Sequence, residues 1–213
     1  TVASIAWTYI AEGSITSVEP TAGQEGTVIV IDGASLFGGS SGVESVTLAG
    51  VPAFVEEQSD TQLTVRAFAG PGAGETGDVL VSGSSGVTVR LVNGWTYSGI
   101  QSLSPNYGNR GTEVTIEGLA MFAGGNSVEE VRLAEVVVTD VVDSTASKIT
   151  VVAGFETVLS DQTGDVTILM DNGQTVTGKN AWTYKVPGAI DDVSPSSGQY
   201  GTKVTLSGTN MLG

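Results

Sequence analysis

Short runs in which apolar and polar residues alternate recur along this chain. Gln62-Leu63-Thr64-Val65-Arg66 and Glu113-Val114-Thr115-Ile116-Glu117 each place their apolar residues two apart. Successive strand side chains point to opposite faces, so such a run buries one face and wets the other. The longest apolar patterns repeat at two residues and not at 3.6, so no helix is expected.

Taken in order, a strand is predicted at residues 15–18 and another at 27–33. A Gly/Ser-rich loop at 37–42 leads to a strand at 43–48. The Ala49-Gly50 turn returns the chain through Val51-Pro52-Ala53-Phe54-Val55. Proline has no N–H for a ladder, so this return strand is expected at a sheet edge. A strand at 62–66, a loop at 70–74, a hairpin around residues 82–85 and a closing run, Trp95-Thr96-Tyr97, complete the series. Seven or eight short strands in that span, with turn residues between them, predict an antiparallel β-sandwich.

The pattern then repeats. Pro20, Gly23, Gly26 and Thr27 share their spacing with Pro105, Gly108, Gly111 and Thr112, and with Pro195, Gly198, Gly201 and Thr202. Trp-Thr-Tyr occurs at residues 7–9, 95–97 and 182–184. A period near 87 residues exceeds the roughly 20–50 of solenoid repeats and indicates whole small domains. The expected boundaries are 1–13 for the last strand of one unit, 14–98 and 99–188 for two complete sandwiches, and 189–213 for the first strands of another. In the second sandwich, residues 136–142 form the return strand with valine in place of the edge proline. Asp171-Asn172-Gly173 carries a strong hairpin signal, because Asn-Gly suits a type I′ turn. Thr1 begins inside a strand-like run, so the sequence reads as part of something longer.

The opening residues of the third copy are Ile190-Asp191-Asp192-Val193-Ser194-Pro195-Ser196-Ser197-Gly198, followed by Gly201-Thr202-Lys203-Val204-Thr205-Leu206-Ser207-Gly208. This segment resembles the start of an IPT/TIG domain, and the resemblance extends over nearly the whole chain. It implies tandem immunoglobulin-like folds, as in plexins, some transcription factors and large surface proteins, and it brings no common catalytic residue. The family often has two glycines before the threonine. Here the first of that pair is Glu25, Arg110 or Tyr200, which implies individually tailored loop surfaces.

Composition narrows the function. The net charge is −15 from 23 acids against eight Lys and Arg, with no His and no Cys. Such a surface repels nucleic acid, whose binding needs clustered cations, and it favours solubility. No apolar run is long enough to span a bilayer, so direct membrane insertion is not expected. Without His or Cys, Ser-His-Asp and Cys-His catalysis are impossible; no enzyme, cofactor or metal site is expected.

Four candidate features remain. The repeated glycines could suggest a phosphate cradle, but no helix or P-loop lysine follows, so they are read as turn residues. The pairs Trp7 and Tyr9, Trp95 and Tyr97, and Trp182 and Tyr184 each share a strand face. They are candidate junction or core contacts, with carbohydrate stacking as the alternative. Asp191-Asp192, Glu56-Glu57, Glu129-Glu130, and Asp140 with Asp143 invite a calcium reading but lack the six to eight converging oxygens that calcium takes; a solvated acidic surface is the simpler account. Residues 82–85 could carry O-linked sugars, and no N-glycosylation sequon occurs.

Two functions fit. One is a non-enzymatic extracellular or cell-surface rod or filament segment, its very short linkers limiting flexure. Its partners would be neighbouring repeats or copies of itself, joined end to end by strand complementation. The other is a carbohydrate- or protein-binding module of a receptor or large surface enzyme, with a glycan or surface protein as partner.

Overall fold

The computed structural model describes residues 9–155 and 160–211. All its regular elements are β-strands, and the architecture is that of immunoglobulin-like β-sandwiches. Trp7 lies outside the described residues.

The first unit contains β1 (Ser14–Glu19), β2 (Ala22–Gly23), β3 (Val28–Ala34), β4 (Val43–Leu48), β5 (Val51–Gln58), β6 (Gln62–Ala67), β7 (Glu75–Gly83) and β8 (Thr88–Tyr97). The strands pair in the order β1-β3-β6-β5-β4-β7-β8-β2. All ladders are antiparallel except the short parallel one between β2 and β8. The alternation read from the sequence decides which side chains go inside. In β6, Leu63, Val65 and Ala67 are buried while Gln62 and Arg66 face water. With Ile29 and Ile31 they meet Val46, Leu48, Val79, Val81 and Trp95 in one core.

The return strand corrects the expectation for Pro52. β5 is not an edge strand, since it pairs with β4 on one side and β6 on the other. Its first residues, Val51 to Ala53, pair with β4, whereas pairing with β6 begins only at Ala53. Pro52 therefore sits where the β6 side is unpaired, and its missing N–H leaves no broken ladder bond there. Trp95-Thr96-Tyr97 is likewise not a separate strand. It is the end of β8, which continues past a bulge at Asn93, a residue with φ of 51°.

The second unit retraces this pairing. It comprises β9 (Gly99–Ser104), β10 (Tyr107–Gly108), β11 (Glu113–Leu119), β12 (Val128–Leu133), β13 (Val136–Val137), β14 (Asp140–Ser144), β15 (Lys148–Val152), β16 (Gln162–Met170) and β17 (Thr175–Tyr184). One sheet is β14-β15-β11-β9 and the other β10-β17-β16-β12-β13. The single return strand expected at 136–142 is split here into β13 and β14, one in each sheet. A separate core forms around Ile116, Met121, Leu133, Ile149, Ile168 and Trp182. Beyond it, β18 (Ala189–Ser194) and β19 (Thr205–Thr209) form an exposed antiparallel pair.

Candidate functional site

The repeated proline–glycine–glycine–threonine loops shape one end of each unit. Gly23 and Gly108 leave no space for a Cβ because the side chains of Thr27 and Thr112 occupy it. Gly26 and Gly111 adopt φ of +86° and +83°, which glycine accommodates without a Cβ clash. The threonine hydroxyl then accepts the N–H of Gln24 or Asn109 at 3.0 Å. The motif is thus a self-braced turn, and its variable positions Glu25, Arg110 and Tyr200 are exposed.

In the first unit this turn meets the second unit. Only Ser98 lies between β8 and β9, and Ser98 is buried. Its N–H donates to Gly23 O at 2.8 Å, and its carbonyl accepts from Gln24 Nε2 at 3.1 Å. Thr27 Oγ1 donates across the junction to Gln174 Oε1 at 3.1 Å. Gly99 lies against the backbone of residues 72–74, so that a Cβ would collide with Gly72 O, Ala73 C and Gly74 N. A Cβ on Gly124 would stand 2.9 Å from Pro20 Cβ.

A groove runs along this junction. One recess of about 210 Å³ lies between Gln24, Glu25, the loop Gly70–Gly72 and Thr177. A second, of about 490 Å³, continues between Gln101 to Leu103 of β9 and Thr177 to Ala181 of β17. Both are bounded by Gly72, Thr177 and Lys179, so they form one trough. A further recess of about 650 Å³ lies between β1 and β8, lined by Leu91 and Val92 and, from the second unit, by Ala120.

Both strands walling the trough carry irregularities. Gln101 is an extra residue in β9 between the pairs Ile100–Gly118 and Ser102–Glu117. In β17, residues 179–181 stand opposite Asp165 alone, with Asn180 at φ 49°. Asp165 braces this bulge, accepting Asn180 N–H at 2.8 Å and Lys179 Nζ at 2.7 Å. These bonds, the Lys179 one foremost, hold its carboxyl below the usual carboxylate range. Asp161 is lowered by Lys185, and Asp171 by the N–H of Asn126. A carboxylate with a depressed folded pKa stabilises above its unfolded pKa of about 3.9 and loses that contribution as pH falls through the folded value. Acid titration should therefore loosen the Asp165 bulge below pH ~4, seen as a smaller protection factor for the Asn180 amide once intrinsic exchange is divided out; Asp165→Asn should remove that pH dependence at Asn180.

The candidate aromatic residues fall into two groups. Trp95, Tyr97, Trp182 and Tyr184 are at most 1% exposed. Each pair packs edge to face, with centroids 5.7 Å apart for Trp95–Tyr97 and 5.6 Å for Trp182–Tyr184. No ring face is open to a sugar, so carbohydrate stacking on these four is incompatible with this packing. Tyr97 reaches the junction from beneath, where Gly70 lies directly on its ring. Tyr9, in contrast, is 90% exposed. Burial pushes the Tyr97 hydroxyl up to about 12. Its raised value means stability that is complete below a pKa of about 10 and lost as pH rises toward about 12. In a spectrophotometric titration Tyr97 should ionise after exposed tyrosines, together with loss of the first core; ionisation near pH ~10 without unfolding would contradict its burial.

Asp191 and Asp192 are exposed on β18, and among the described residues no group of three or more His, Cys, Asp or Glu side chains is placed to hold a metal ion. No helix among them is long and apolar enough to cross a membrane. The trough residues were not recognisable as a set from sequence. Gln24, Gln101 and Thr177 are far apart in the chain and carry no motif; the glycine-rich run at 70–74 facing Gly99 was the available signal.

Comparison with solved structures finds likeness to the full extracellular region of plexin A4, at 21% identity and a TM-score of 0.39, covering 90% of this chain and 17% of that one. SGBP-B of a Bacteroides ovatus mixed-linkage glucan utilization locus, in complex with a mixed-linkage heptasaccharide, aligns at 16% identity and a TM-score of 0.32, over 83% of this chain and 46% of that one. A gamma-CGTase from alkalophilic Bacillus clarkii aligns at 15% identity and a TM-score of 0.38, over 82% and 26% respectively. The chain therefore spans less than half of each of these proteins. Comparison with curated proteins gives no match. Residues 14–100, the first sandwich and the first residues of β9, match the IPT/TIG domain family.

Proposed function

We propose that this chain is a non-enzymatic binding module of an extracellular or cell-surface protein, in which two immunoglobulin-like sandwiches hold a groove between them. The trough across the junction carries this reading. Its walls come from both units, and domain interfaces are a common place for ligand sites. The close approach of Gly99 to residues 72–74 and the bond from Thr27 to Gln174 favour one relative pose, so the trough keeps one shape. The strong negative charge suits a soluble surface and disfavours nucleic acid. Surface plasmon resonance of the intact chain against panels of glycans and cell-surface proteins tests the proposal. Saturable binding by at least one panel member is expected; none from either panel would overturn it.

The tight linker supports a second reading, a stiff spacer within a rod. Spin labels on exposed positions of β4 and β12 should then give one narrow distance distribution. A broad distribution would reject the spacer role.

A further inference from the structure

We infer that the junction trough takes a neutral oligosaccharide, held mainly through hydroxyl and amide hydrogen bonds; this inference rests on the binding-module reading above. Together its two recesses provide the elongated space a saccharide chain needs, at a volume typical of ligand sites of ~300–1,000 Å³. Among the residues lining the recesses, Gln24, Gln101, Ser102, Asn106 and Thr177 have uncharged polar side chains that donate and accept, set among apolar ones such as Ile100, Leu103 and Ala181 that can meet the C–H faces of a sugar. The charged lining residues are Glu25 and Lys179, and Lys179 is paired with Asp165. With a chain charge of −15, this lining disfavours a polyanion.

The bulges separate a saccharide from a peptide strand. A strand adding to β9 or β17 needs backbone groups at a regular two-residue spacing. Gln101 interrupts that spacing in β9, and residues 179–181 interrupt it in β17. Bulged edges resist strand addition, whereas sugar hydroxyls need no regular ladder. Tyr97 lies beneath the trough with its ring covered, so recognition there uses the polar groups of the walls and not stacking on that ring.

The test is an NMR titration of the intact chain with cello-, malto-, xylo- and mannohexaose, alongside an oligogalacturonate and a pool of extended peptides. At least one neutral hexaose should give saturable shifts at the amides of Gln101, Asn106 and Thr177. Thr177→Trp, which fills the trough, should weaken that binding by about tenfold or more. Gln101→Ala, an exposed substitution, should weaken it less while leaving the melting temperature within about 2 °C. Saccharide binding with shifts elsewhere, undiminished by Thr177→Trp, overturns the site but leaves the binding-module reading intact. Trough binding by peptide or oligogalacturonate alone overturns the ligand class and again leaves that reading intact. No saturable shift with any neutral hexaose overturns the inference, while the protein panel decides the broader reading separately.

Discussion

Trp182→Ala should destabilise the second sandwich by about 3–5 kcal/mol, the usual cost of emptying a large aromatic site in a packed core. Trp182 has no exposed surface and meets Tyr184 edge to face. Whole domains are stable by only about 5–15 kcal/mol, so this one change would remove a large part of the margin. The effect should be selective. The first unit has its own core around Trp95, with no buried residue in common with the second. Scanning calorimetry should show one transition moving down by about 4–8 °C per kcal/mol while the other moves far less. Trp95→Ala should give the reciprocal result. A shift smaller than about 2 °C in both transitions would contradict the burial of these indoles.

Gly99→Val should have the largest effect on the arrangement of the two units. The new Cβ would run into Gly72 O, Ala73 C and Gly74 N. These are backbone atoms, so no flexible side-chain tip can turn away; either the loop or the linker must move. Overpacking of this kind costs about 1–3 kcal/mol, and it should also widen the inter-unit distance distribution measured between spin labels. Gly72→Ala is the matching control, because a Cβ there meets nothing within 4 Å. If Gly99→Val left both the distance distribution and the melting temperature unchanged, the close approach would not be holding the junction.

These two sites differ in how far the sequence announced them. Trp95 and Tyr97 share a strand face at i and i+2, and the pair recurs one period later as Trp182 and Tyr184. Strand positions such as Leu63 and Val65 were legible because alternation directly encodes which face is buried. The interior place of β5 was not legible: Val51–Gln58 is one continuous run, and only pairing on both sides shows that Pro52 occupies a local gap in an interior strand. The trough was less legible still. It depends on residues from two units, and the bulges at Gln101 and Asn180 are properties of register, which the spacing of apolar residues does not report. Carbohydrate stacking on Trp95 and Trp182 failed for a simple reason: a tryptophan in an alternating strand has two faces to choose from, and here it chose the inner one.

The short parallel ladders also have a mechanical consequence. In each unit the short second strand runs parallel to the last one: β2 beside β8, and β10 beside β17. Thr96 N–H to Thr21 O and Ser98 N–H to Gly23 O tie the first pair; Thr183 N–H to Asn106 O and Lys185 N–H to Gly108 O tie the second. Tension along the polypeptide pulls the two members of each pair in opposite directions, loading these four bonds together in shear. The same turn that braces each sandwich would thereby also resist its extension under load.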